Sequence, residues 1–135
     1  MKKYIITFFI GFIASVVIGI IPGILFYGPK QAEFSKLYPG VVNETPEPLF
    51  MLISGIAILI LWIISFDKMG IHNLKDGATT GIWYGALFFT FFGFQFIGIT
   101  KIVSLQFVLT DILISSLIGA FQGSAIAWSL GKFRP

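Results

Sequence analysis

Between residues 4 and 26 the chain carries no charged side chain, and the pattern returns at 49–66, 77–100 and 105–131, the last broken only by Asp111. A bilayer's hydrocarbon core, ~30 Å thick, is crossed by ~20 helical residues. Inside hydrocarbon a chain must satisfy its own backbone, which leaves helices or closed barrels. These runs are apolar throughout rather than alternating, so the expectation is helical. The fold class expected is all-α: a four-helix transmembrane bundle running up-down-up-down. Its helices cover about 4–26, 49–66, 74–99 and 105–131, within a single integral membrane domain over residues 1–135. Composition excludes an ordinary soluble domain, since 11% of residues are charged and mean hydropathy is +0.94, against roughly 25% charged in soluble domains. No small-residue cleavage site follows the first apolar run, which is therefore read as a retained helix rather than a signal peptide.

Four crossings would place Lys2, Lys3, Lys68, Lys75, Lys132 and Arg134 on one side and Lys30, Lys36 and Lys101 on the other. Six basic residues against three favours both termini in the cytoplasm by the positive-inside rule. The localisation expected is a cell membrane, spanned several times, with a bacterial inner membrane as the setting. Trp62, Trp83 and Trp128 would share the same face as an aromatic belt.

Small residues recur every fourth position on three of the helices. Gly11, Ser15 and Gly19 mark the first helix, Gly77, Gly81 and Gly85 the third, and Ser115, Gly119, Gly123 and Ala127 the fourth. Such stripes let helix backbones approach closely in a membrane. They do not distinguish packing within one chain from packing between chains, and a stripe left over would favour a homodimer. The second helix has no such stripe and is expected to face lipid more than its neighbours. Pro22 should bend the first helix or loosen its last turn. Residues 30–37 could form a short interfacial helix, and Asn73 with Asp76 resembles a cap for the third helix.

Asp111 is the sharpest candidate for chemistry, because an acid inside a membrane helix is costly and often marks an ion path. With Trp128 at one interface, Asp111 lies about 26 Å away along a helix rising ~1.5 Å per residue. That depth favours a position near the opposite headgroups, capping the helix start beside Thr110. A tilted helix would bury it by a turn or two. Gln95 should lie at a similar depth on the neighbouring helix, within reach of Asp111. Gln122 follows Asp111 by three turns at nearly the same azimuth, and with Ser115 it would continue a polar track. His72, in a short charged turn, reads as a solvated residue. One histidine and no cysteine provide neither a metal set nor a nucleophile–base pair. No cofactor or metal is expected, and the chain is not expected to be an enzyme. No basic stripe with interleaved aromatics points to nucleic acid.

Phe26-Tyr27-Gly28-Pro29 after the first helix, and Gly77…Gly81-Ile82-Trp83-Tyr84-Gly85 opening the third, resemble small four-helix bacterial membrane proteins of unknown function. That resemblance implies the fold and no activity. In size and helix number the chain also resembles the small multidrug transporters, which carry an essential glutamate in the first helix where this chain has no charge. Three functions stay open. The leading expectation is a structural or interaction subunit, with membrane lipids and a second copy or another membrane protein as partners. The others are a small dimeric proton-coupled transporter or channel using Asp111, and a binder of lipid or apolar ligands suited to the phenylalanine-rich half of the third helix.

Overall fold

The computed structural model describes residues 1–134 and contains only helices among them. The elements are α1 (Lys2–Pro22), a π-helical turn (Gly23–Tyr27), α2 (Gly28–Leu37), α3 (Pro48–Lys68), α4 (Leu74–Ile99) and α5 (Leu105–Gly131). α1, the π turn and α2 form one continuous rod, so four helices are long and apolar enough to cross a membrane. The first helix thus runs well past residue 26. Pro22 has no N–H to give, and the ladder recovers by widening: Gly28 donates to the carbonyl of Gly23, five residues back. Pro29 then sits at the start of α2, where a missing donor costs least.

The ends of the other helices follow local chemistry. Pro48 opens α3 at its first turn. Asn73 caps α4, its side-chain oxygen accepting from the Asp76 amide at 2.9 Å, and Ser104 caps α5 by accepting from Phe107 at 3.1 Å. α3 ends at Lys68, and two residues on Gly70 has a φ of 72°, in the left-handed region. There Ile71 donates to Phe66 at 2.9 Å and Gly70 to Asp67 at 3.2 Å, the paired bonds of a Schellman ending, while Ile71 packs on the core.

α4 and α5 make the most extensive contact in the bundle. A Cβ at Gly81 would overlap the Gly119 carbonyl, one at Gly85 the Ser115 carbonyl, and one at Gly123 the Gly77 carbonyl. Both stripes are therefore consumed against each other, backbone on backbone. Gly11 packs on Leu59 and Ile126, where an added Cβ would meet Leu59 Cδ1 at 2.8 Å. Gly19 and Gly23 have nothing within 4 Å of a Cβ position, and the Ser15 hydroxyl donates to Gly11 of its own helix at 2.7 Å. Only the start of the first helix's stripe is engaged.

The hydrophobic core joins Leu59, Trp62, Ile63 and Phe66 of α3 to Ile126, Ala127 and Leu130 of α5. This corrects two expectations. α3 is exposed over residues 49–55 but contributes most of the large core side chains from Leu59 onward. Trp62 is 5% exposed and belongs to that core, whereas Trp83 and Trp128 are exposed as belt residues would be. The branched and aromatic side chains of α3 pack against small residues of the neighbouring helices, Gly11 and Ala127, so α3 needs no small stripe of its own. The core fills the half of the bundle nearest the chain termini and the α3–α4 turn. Beside it a cavity of about 350 Å³ lies between Tyr4, Phe8, Ile60, Ile63 and Ile64, and further cavities lie towards the other end.

Candidate functional site

The π turn sets the azimuth of Tyr27, its last residue. Phe26 stacks on Phe107 with centroids 5.3 Å apart, and Phe34 meets the same ring edge-on at 5.2 Å. These rings hold the long rod against the first turn of α5. Asp111 follows Phe107 by one helical turn, and the Tyr27 hydroxyl donates to its Oδ1. Ser115, one turn further and 4% exposed, contacts the same oxygen at 3.5 Å. Oδ2 of Asp111 bonds no protein donor among the described residues and is not sealed from its surroundings.

This arrangement revises the capping reading of Asp111. Ser104 caps α5, and Thr110 donates to Gln106 of its own helix at 2.9 Å. Asp111 lies nearly two turns inside the helix, half-buried, with hydroxyls rather than backbone amides as partners. The suggested bond to Gln95 is also replaced: Gln95 is exposed, and the residue that reaches Asp111 is Tyr27. Tyr27 was missed because the first helix was expected to stop at Phe26. The available signal was Gly28-Pro29, since a proline suits the opening turn of a helix that continues.

Two cavities meet at Tyr27 and Met51. The inner one, about 320 Å³, is lined by Tyr27, Met51, Ile58, Trp62, Phe89, Ser115 and Gln122 with the bare backbone of Gly85 and Gly119. The outer one, about 360 Å³, includes Gly23, Gln31, Phe34, Pro46 and Phe107. It also includes Lys30, which is engaged by Glu33 at 2.9 Å. Gln122 therefore shares the inner chamber with Ser115 and Tyr27, as a polar group on an otherwise apolar wall. Trp62 lines it as well, and its Nε1 is buried without a hydrogen-bond partner.

At the opposite end a second polar cluster binds three elements together. Lys3 Nζ lies 2.9 and 2.8 Å from the two oxygens of Asp67. Tyr4 donates to Asp67 at 2.6 Å, and His72 Nε2 is 3.3 Å from it. His72 is thus no free solvated residue: its side chain is 12% exposed, and its carbonyl stands against Gly131. Further inside, the hydroxyls of Thr7 and Ser129 pair at 2.8 Å, both fully buried. Among the described residues no three histidine, cysteine, aspartate or glutamate side chains gather as a metal set would.

Searches for relatives returned no matching protein-family model, curated protein or solved structure. The functional reading therefore rests on the residues of this chain.

Proposed function

We propose that the chain is a carrier-type protein of the membrane that takes small amphipathic molecules into the inner cavity, where Tyr27, Ser115 and Gln122 meet the polar end of the guest and Asp111 holds the two hydroxyls from behind. The observation that carries this is an apolar chamber with Tyr27, Ser115 and Gln122 on its wall, the first two in contact with the Asp111 carboxylate behind them. Ionisable groups within membrane helices usually line a cavity and act on what passes through it. A mostly apolar pocket with a few convergent polar groups is the common form of a small-molecule site. The opposite end supports the same reading: the Leu59–Leu130 core and the Lys3–Tyr4–Asp67–His72 cluster close it. On this reading a guest enters from the other end. On this reading the chain is not an enzyme, and lipids are both its solvent and its competitor ligands. The six-to-three placement of basic residues supports a closed end that faces the cytoplasm.

The reading as an interaction subunit loses its main support, because the stripes of α4 and α5 are used up inside the chain. A homodimer keeps one specific observation, the free Gly19 and Gly23 positions on the long rod. A carrier can be dimeric, so the two readings are compatible.

The test is native mass spectrometry of protein extracted gently into lipid nanodiscs. The wild type is expected to retain a small molecule. Met51→Trp should abolish retention by filling the junction of the two cavities, at a side chain already 58% exposed and so able to change without disturbing the core. Absence of any retained species in the wild type, or equal retention in Met51→Trp, would count against the proposal.

A further inference from the structure

We propose that the outer two turns of α3, residues 48–54, are a lid that bends inward at Ser54-Gly55 and seats Leu52 on Gly19 of α1, shutting the inner cavity. This rests on the cavity reading above and specifies how the chamber opens and closes. The two halves of α3 differ. Leu59, Trp62, Ile63 and Phe66 carry the core, whereas every residue over 48–55 is exposed, whichever face of the helix it occupies. The buried positions define an inward stripe, and helical spacing carries that stripe out to Leu52, two turns before Leu59. Leu52 is nevertheless 48% exposed. A half-exposed leucine on the packing face marks an arm that stands off its neighbours.

α1 offers the matching seat. Lys3 meets Asp67 and Gly11 meets Leu59, so α1 and α3 run antiparallel. The Leu59 side chain fills the notch at Gly11, where an added Cβ would lie 2.8 Å from its Cδ1. Two turns along, the same pairing recurs in the residues: onward from Gly11 comes Gly19, and back from Leu59 comes Leu52. Gly19 is empty, with nothing within 4 Å of its Cβ position. It lies three turns beyond Phe8 at nearly the same azimuth, and Phe8 fronts α3 across the cavity it shares with Ile60, Ile63 and Ile64. Gly19 and Leu52 are thus the two halves of a leucine–glycine contact that is open in this conformation. The hinge is local. Ser54 donates to the Met51 carbonyl at 3.0 Å, a side-chain-to-backbone bond of the kind that bends helices, and glycine–serine pairs are recurrent kink sites. Nothing lies within 4 Å of a Cβ at Gly55, so no neighbour there resists the bend. Met51 lines both cavities and travels with the arm, so closure acts at their junction. Lids of this kind sequester a bound molecule and control its release.

The test uses Gly19→Cys/Leu52→Cys in nanodiscs, in a chain with no cysteine of its own. Mild oxidation is expected to give an intramolecular disulfide at monomer mass. Gly19→Cys/Phe50→Cys is the control, because residue 50 is on the same arm about 200° around the helix from Leu52, and it should stay reduced. Adding Gly55→Ala should slow the cross-linking about fivefold, the difference in helix preference between glycine and alanine. The oxidised protein should lose uptake of 4-phenylbutan-1-ol, read by native mass spectrometry, and reduction should restore it. Equal oxidation of the two pairs overturns the proposal. So does a product of twice the mass, which would make Gly19 a seam between copies. An unchanged rate in Gly55→Ala overturns the hinge, and a disulfide that leaves uptake unchanged overturns the lid. If the disulfide fails to form while the reduced protein takes up the alcohol, the lid fails and the cavity reading stands. If neither the wild type nor the reduced variant takes up the alcohol, the cavity reading fails and the lid with it.

Discussion

Leucine in place of Gly81 is expected to prevent α4 and α5 from closing. A Cβ at that position would fall on the Gly119 carbonyl and within 3.2 Å of Gly123 Cα. Both obstacles are backbone and cannot rotate aside. Helices in a membrane gain little from hiding apolar surface from lipid, so close packing itself supplies much of their association. The cost should therefore lie at the upper end of overpacking effects, about 3 kcal/mol or more, and appear as a large drop in thermal stability in detergent. Gly19→Leu is the matched control, because nothing lies within 4 Å of its Cβ position. Its melting should shift by no more than about 0.5 kcal/mol equivalent. If the free glycines on the long rod are a dimer seam, that variant halves the oligomeric mass while leaving the fold intact. Unchanged melting of Gly81→Leu would contradict the close-packed α4–α5 pair.

The second large effect is expected at Phe66. Its side chain is fully buried, with its centroid 5.9 Å from that of Trp62 and 5.5 Å from that of Tyr84. Phe66→Ala removes a ring from the centre of the core, and deletions of this kind cost about 3–5 kcal/mol when the surroundings collapse only partly. The consequence goes beyond stability. Phe66 and Trp62 lie between the inner cavity and the end bearing Lys3, Asp67 and His72, so the truncation should loosen the seal at that end. Chemical denaturation measures the first effect. A stability loss below about 1 kcal/mol would mean that the core relaxes freely and does not act as a plug.

Much of this architecture is legible in the residues. Uncharged runs of membrane length announce the four long helices, and the four-residue spacing of Gly77, Gly81 and Gly85 with Gly119 and Gly123 marks the faces that meet. Asn73 followed by Asp76 announces the α4 cap. The rest depends on what packs against what. Pro22 signals an irregularity, but periodicity does not say whether the helix ends there or widens into a π turn and runs on to Leu37. Trp62 has the position of a belt tryptophan, and only the partners Phe66 and Tyr84 reveal it as core. His72 looks solvated in a charged turn until Asp67, Lys3 and Gly131 are brought around it. The site is half legible in the same sense. Asp111, Ser115 and Gln122 are readable from the periodicity of one helix, whereas Tyr27 comes from another helix through a turn that periodicity does not describe.

The chain has no cysteine, which makes the central claim, a chamber open from one end, directly measurable. Gln122→Cys should react with a charged, membrane-impermeant thiol reagent added on the side of the 38–47 connection in oriented vesicles. It should stay inert to reagent on the side of the termini. Ile126→Cys, at a position with no exposure one turn nearer the closed end, should resist reagent from both sides. A Gln122→Cys that is inert from both sides, or that reacts only from the side of the termini, would contradict the account.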